Sequence, residues 1–251
     1  MNRLHIEINS THVRLTESSA SDQKVFSHAF SDLQDHRYVE QMDALLDEAQ
    51  LKNRTFDAVA LSWSGYRTTL VPSNVFEDGN AHHFFELCFG SAVPENAIHF
   101  DRLQAEGIVN IYEFPAWANT YFSSRFPRII MRHEGSHIIQ HLLAKRFTAI
   151  EVLITIHKGY FLLCVGQEDK LSYYSSFDYQ ELDDILYHVM FTLQQKELYH
   201  MDGKMQVQSG QGIEEGLTEQ LIQRISAVSE MKSFQVVSND ELVFNSLELC
   251  V

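Results

Sequence analysis

The sequence predicts an α/β protein made of two similar halves, each a mixed sheet with flanking helices. Three observations carry this. Short alternating segments come in threes, each trio followed by a helical repeat and then a short apolar strand. That series runs twice, at an offset drifting from about 148 to about 145 residues, a drift the size of ordinary loop changes. Apolar residues make up 45 % of 251, enough to fill sizeable cores.

In the first series, Leu4 to Ile8 and His12 to Glu17 alternate, polar Ser18 to Gln23 turns the chain, and Val25 to Ser31 reads as a third strand. Connections this short favour an antiparallel meander. From Arg37 to Gln50, Val39, Met42, Leu45, Leu46 and Ala49 recur at helical spacing, and Asp57 to Ser62 is a short buried-type strand. The second series repeats the order. Ala149 to Ile156 and Tyr160 to Val165 flank His157-Lys158-Gly159, Lys170 to Phe177 follows, Gln180 to Leu198 is helical, and Met205 to Gln208 is a strand. Overlaying the copies puts Ile8 on Ile156, Lys24 on Lys170, and Ser64-Gly65 on Ser209-Gly210. The boundary between halves falls near Arg146, giving subdomains 1–146 and 147–251.

Each half has additions. Val71 to Phe76 is a strand or turn, with Pro72 arguing against a central ladder position. Ala81 to Phe89 reads as a helix, Ile98 to Arg102 and Ile108 to Phe114 as strands, and Pro115 opens a helix reaching Ser124. Arg128 to Met131 is a strand and Ser136 to Lys145 a helix. The second half adds a helix from Ile213 to Ile225, a strand from Phe234 to Val237 and a last helix from Asp240 to Leu249.

The charge balance excludes some partners. There are 34 acidic against 19 basic residues, net −15, so phosphate backbones and anionic lipid surfaces repel the chain and nucleic acid is not an expected partner. The most apolar stretch, Ala149 to Val165, is broken by Glu151, His157 and Lys158, so no membrane insertion is expected. Arg3 and Glu7 stand where a signal peptide would need an apolar core. Cys88, Cys164 and Cys250 share no metal-type spacing and read as reduced thiols, which points to the cytoplasm.

Strand, strand, strand, helix, strand, helix, performed twice, resembles the actin-like ATPase (ribonuclease-H-like) fold. The run Thr69-Leu70-Val71-Pro72 with Phe76 after it, and the turn Gln208-Ser209-Gly210-Gln211-Gly212-Ile213-Glu214, resemble an uncharacterised bacterial family of small proteins with that fold. The resemblance implies ATP with magnesium as the cofactor. In such ATPases the turn between the first two strands of each half wraps the phosphates with backbone N–H groups, and an Asp orients the metal or the attacking water. Here the first turn reads Glu7-Ile8-Asn9-Ser10-Thr11, with Glu7 in place of the Asp and Asn9 in place of the Gly. The second reads Thr155-Ile156-His157-Lys158-Gly159 and has no carboxylate. The adenosine turn is reduced to Ser209-Gly210-Gln211-Gly212. The resemblance therefore implies Glu7, Asn9, Ser10, Thr11, Lys158, Gly159, Ser209, Gly210 and Gly212 as nucleotide-binding positions, and no catalytic residue.

His133-Glu134-Gly135-Ser136-His137 matches the H-E-x-x-H pattern, in which two histidines on one helix hold Zn²⁺ and the Glu activates water. Gly135-Ser136 reads as a helix start with Ser136 as N-cap, which leaves His133 off the shared face. His137 and His141 then form a polar flank of an amphipathic helix. No metal site is expected.

Together the residues weigh against an enzyme. They describe a catalytically degenerate actin-like-fold protein that binds another protein or senses a nucleotide. An ATPase or phosphotransferase using Glu7 is the alternative, and a zinc hydrolase through His133, Glu134 and His137 a lesser one.

Overall fold

The computed structural model describes residues 2–19, 22–31, 35–90, 93–228 and 234–238. They divide into two compact units, up to His137 and from Ile138 onward.

In the first unit, β1 (Arg3–Ile8), β2 (His12–Ser18) and β3 (Gln23–Ala29) form the antiparallel meander. Helix α1 (Asp35–Glu48) crosses over to β4 (Ala58–Trp63), which lies parallel to β1. After an insertion come α3 (Ala116–Arg125) and β8 (Ile130–His133), parallel to β4, and then α4 (Glu134–Leu143), within which the division between the units falls. The sheet order is β3-β2-β1-β4-β8. Leu4, Ile6, Ile8, Val13 and Leu15 are buried with Met42, Leu45 and Leu46 of α1. His5 and Glu7 alternate with those strand residues and so lie on the opposite face of the sheet.

The second unit repeats the design. Strands β9 (Ile150–His157), β10 (Tyr160–Gln167) and β11 (Lys170–Asp178) form the meander, α5 (Leu182–Gln195) crosses to β12 (Gly203–Ser209), and α6 (Leu217–Ala227) leads to β13 (Phe234–Ser238). Its order, β11-β10-β9-β12-β13, matches the first sheet position for position, with β12 parallel to both β9 and β13. Two sheets with one order and one set of senses are what the duplication requires. A reciprocal capping box between Glu181 and Asp184 starts α5 and satisfies its first N–H groups.

The pairing register corrects the overlay of the copies. Ile8 faces Trp63 as Ile156 faces Ser209, and the next residues, Ser64 and Gly210, donate their N–H groups to Ile8 and Ile156 respectively. Gly210 therefore matches Ser64, one residue before the expected Gly65. Lys24 pairs with Glu17, and the corresponding pair in the second unit is Val165 with Tyr173, so Tyr173 and not Lys170 takes the place of Lys24. A bulge between Val165 and Gly166 shifts the register there, and a bulge leaves no signature in hydrophobic alternation.

The insertion of the first unit carries its own antiparallel sheet, β5 (Thr68–Pro72), β6 (Ile98–Leu103) and β7 (Ile108–Glu113), in the order β5-β7-β6. Pro72 ends an edge strand, where its missing N–H costs no ladder bond. Helix α2 (Ala81–Phe89) buries Phe85 against Val71, Val109 and Ile111. The expected helix from Asp240 lies outside the described residues. Helix α6 begins at Leu217 and not at Ile213, because Gly212 and Gly216 adopt φ of 80° and 83° and hold Glu214 and Glu215 in the preceding turn. No helix among the described residues is long and apolar enough to cross a membrane.

Candidate functional site

The turn after β1 is closed by its own side chain. Asn9 Oδ1 accepts the N–H of Thr11 at 2.8 Å and of His12 at 2.7 Å, and the Thr11 hydroxyl at 3.1 Å. This is an Asx-type turn, in which a carboxamide oxygen takes the place a phosphate oxygen would need. The carbonyls are engaged too: Tyr38 Oη donates to Ser10 O at 2.7 Å and the Phe30 N–H to Thr11 O at 2.8 Å. Tyr38 is held by a face-to-face stack on Trp117, with ring centroids 4.5 Å apart. Glu7, in the place of the metal-orienting Asp, lies opposite Arg14 and accepts its Nη1 at 3.3 Å. Four residues separate Ile8 from its partner Val13, and four separate Ile156 from Phe161, so the two turns match in length.

In the second unit, Lys158 and Gly159 form a tight two-residue turn between His157 and Tyr160. Gly159 has φ of 82°, and its carbonyl accepts the Tyr179 N–H at 3.1 Å. Lys158 is exposed. Its neighbour His157, which matches Asn9, is buried and stacks on Tyr160 at 4.7 Å. Gly210 follows β12, and a Cβ there would lie 2.3 Å from His157 Nδ1, so the imidazole fills the space that the glycine leaves. The Ser209 hydroxyl pairs with that of Thr218. The structure thus gathers Glu7, Asn9, Ser10 and Thr11 at one turn. It gathers Lys158, Gly159, Ser209 and Gly210 at the other, with Gly212 in the turn beyond. Neither set fits Mg·ATP: the Thr11 and His12 N–H groups go to Asn9, the first turn's carboxylate goes to Arg14, and the second turn brings no carboxylate.

The H-E-x-x-H segment is different from its expected form. Helix α4 starts at Glu134, so Gly135 and Ser136 are helical and Ser136 is not the N-cap. His133, the last residue of β8, caps the helix: its Nδ1 accepts the Gly135 N–H at 2.9 Å. Its Nε2 lies 2.9 Å from Gly65 O, which can only accept, so Nε2 carries the proton and neither ring nitrogen offers a lone pair to a metal. Burial, with Arg132 nearby, pushes the His137 imidazole down to about 3. Among the described residues no group of three or more His, Cys, Asp or Glu side chains is placed to hold a metal ion. Metal analysis of the purified protein is expected to give zinc well below one equivalent. Near-stoichiometric zinc that disappears in His137→Ala would overturn this.

Sequence reasoning missed a buried polar network in the first unit. Asp101 Oδ2 accepts the Ser136 hydroxyl at 2.6 Å and the His133 N–H at 2.8 Å, and its Oδ1 accepts Tyr112 Oη at 3.1 Å. Asn110 donates to Ser136 Oγ at 3.0 Å and accepts from Thr68 Oγ1 at 2.6 Å. Burial pushes the Asp101 carboxyl up to about 6 against three hydrogen bonds that lower it. The available signal was an Asp in β6 and an Asn in β7, each inside an apolar alternation and facing each other across the ladder.

Similar solved structures define the fold. One is a Bacteroides thetaiotaomicron protein described as having an actin-like ATPase fold and unknown function. It is 13 % identical over all of this chain and 96 % of that one, with a TM-score of 0.79. A PilM–PilN type IV pilus biogenesis complex matches at 11 % identity, over 100 % of this chain and 98 % of that one, with a TM-score of 0.59. The ethanolamine utilization protein EutJ from Carboxydothermus hydrogenoformans matches at 7 % identity, 99 % and 89 % coverage and a TM-score of 0.53. No curated protein matches the chain. The fold is therefore the actin-like ATPase fold, a duplicated ribonuclease-H-like arrangement. A family model described as a protein of unknown function, DUF3822, matches residues 1–225, and the chain belongs to that family.

Proposed function

We propose that this chain is a non-hydrolysing actin-like-fold protein that acts by binding another protein. The observation that carries the reading is the Asn9 carboxamide oxygen, seated on the Thr11 and His12 N–H groups. Phosphoryl transfer in this fold works by positioning and charge stabilisation, so a phosphate turn already filled by a side chain removes the means of catalysis. Glu7 by itself would leave the metal poorly held, and Arg14 competes for it. A protein-binding role agrees with the PilM–PilN complex, in which a chain of similar fold is part of an assembly. The described cysteines, Cys88 and Cys164, are free thiols, in keeping with the cytoplasm as the compartment of this reading.

Calorimetry with Mg·ATP, run beside a phosphate-release assay on wild type and Glu7→Ala, tests it. The expected result is no saturable heat at the turns and no turnover in either protein. Steady turnover abolished by Glu7→Ala would replace this reading with an ATPase using Glu7. Saturable binding without turnover, lost on substitutions at Lys158 or Gly210, would replace it with a nucleotide sensor.

A further inference from the structure

We propose that the first unit carries a binding pocket for a small oxyanion borne on an aromatic group, at the opposite end of its sheet from the turns described above. The loop entering β4, the end of α3 and the loop entering β8 build it. They line a pocket of about 270 Å³ with Arg54, Phe56, Asp57, Arg125, Phe126 and Arg128. Three arginines and Asp57 line it, and two of the arginines, Arg54 and Arg125, are paired with the carboxylates of Glu17 and Asp43.

The three arginines differ in a way that suits a ligand. Glu17 holds Arg54 through both terminal nitrogens, at 2.7 Å from Nη1, and Arg54 lies over the Phe56 ring at 5.7 Å. Arg125 is tied to Asp43 and lies over the Tyr121 ring at 5.3 Å. Each guanidinium carries five N–H donors, so both are fixed in place and keep donors in reserve. Arg128 is exposed, and among the described residues no carboxylate pairs with it, although the chain has 34 acidic residues. Asp57 is engaged by the Asn2 N–H at 2.6 Å. A planar fork of this kind matches carboxylate and phosphate oxygens.

The walls define the rest of the ligand. Phe56 and Phe126 meet edge to face at 6.4 Å and 66°; Phe126 is buried in the core, and half-buried Phe56 supplies the ring surface beside the cations. An anion attached to a ring satisfies both, stacking on a phenyl face while its oxygens reach Arg128. The overall charge decides against a polyanion, because the long-range field repels many phosphates while a single anion is governed by the nearby cations. The six residues of β4 place the pocket about 20 Å from the Asn9 turn. The inference therefore does not depend on how that turn behaves.

Calorimetric titration with phenyl phosphate, 3-phenylpropionate and inorganic phosphate, on the full chain, tests the pocket. One or both aryl anions are expected to bind, inorganic phosphate at least about tenfold more weakly, and the tighter aryl anion names the natural anion class. Arg128→Ala is expected to weaken the aryl anion by about tenfold and Arg128→Glu to abolish binding. Arg128 is exposed, so the variants should fold, and their unfolding midpoints are recorded in parallel. No saturation by about 10 mM, where binding is worth less than roughly 3 kcal/mol, would overturn the proposal. So would equal binding to Arg128→Glu, or equal affinity for inorganic phosphate.

Discussion

Asp101→Ala is expected to lower the stability of the first unit by about 3 kcal/mol at neutral pH. The substitution leaves the Ser136 hydroxyl, the His133 N–H and Tyr112 Oη without their shared acceptor in a buried setting. Each buried donor that loses its partner costs its own desolvation, and three are lost together. Asp101→Asn keeps one acceptor oxygen for Ser136 and His133 and offers an amide to Tyr112, so it is expected to cost much less at neutral pH.

The same carboxyl gives the effect a pH signature. Burial comes first among the causes that set it, raising it from 3.8 to about 6, while the bonds from Ser136, His133 and Tyr112 and the charge of Arg132 pull the other way. An acid whose folded value lies above its unfolded one stabilises the fold fully below about 4, and that contribution is lost as pH rises through about 6. The loss is about 3 kcal/mol in all. Asp101→Asn has no such titration, so it should gain on the wild type by up to that amount between pH 4 and pH 7. Urea unfolding at stepped pH, followed by circular dichroism, measures both variants. A flat difference between Asp101→Asn and wild type would show that the carboxyl is ionised throughout. Asp101→Ala within about 0.5 kcal/mol of wild type would remove the network's structural role.

Gly210→Ala is expected to destabilise the second unit by about 2–3 kcal/mol. The added methyl would sit 2.3 Å from His157 Nδ1, closer than real contacts allow, and a tight 3.0 Å from Ile156 O. The backbone there cannot retreat easily, because the Gly210 N–H is bonded to Ile156 O at 2.7 Å. If the imidazole is the obstacle, the penalty for Gly210→Ala should shrink to below about 1 kcal/mol in a His157→Ala background. A double-mutant cycle isolates that coupling from whatever His157→Ala costs by itself. A stable Gly210→Ala protein would mean that the glycine is kept for a ligand's approach, as the resemblance first implied.

Much of the fold is legible from short-range pattern. Alternation of period two marks the meanders, the 3.6-residue repeat marks α1 and α5, and the repeated order marks the duplication. A helix start is less legible where its cap comes from an unusual source. Gly135-Ser136 suggests a break, yet His133 supplies the cap by its imidazole and the chain passes from β8 into α4 without a loop. At the first turn the replacement of Gly by Asn9 is visible in the sequence. Its consequence, a carboxamide folded back onto two N–H groups, depends on the turn's backbone geometry.

The two-half α/β architecture, and the presence of Glu7 and Asn9 at the first turn, are legible in the chain because hydrophobic period and residue identity act over a few neighbours. Which groups meet is set by the folding of the chain in space. Ser136 reaches Asp101 across 35 positions, and Arg54 and Arg128, in the loops before β4 and β8, and Arg125, at the end of α3, are brought side by side by the parallel pairing of those strands. The physical reason is that a hydrogen bond or a charge contact is a matter of ångströms in space, and the chain's pattern specifies which face a residue takes without naming the residue it will find there.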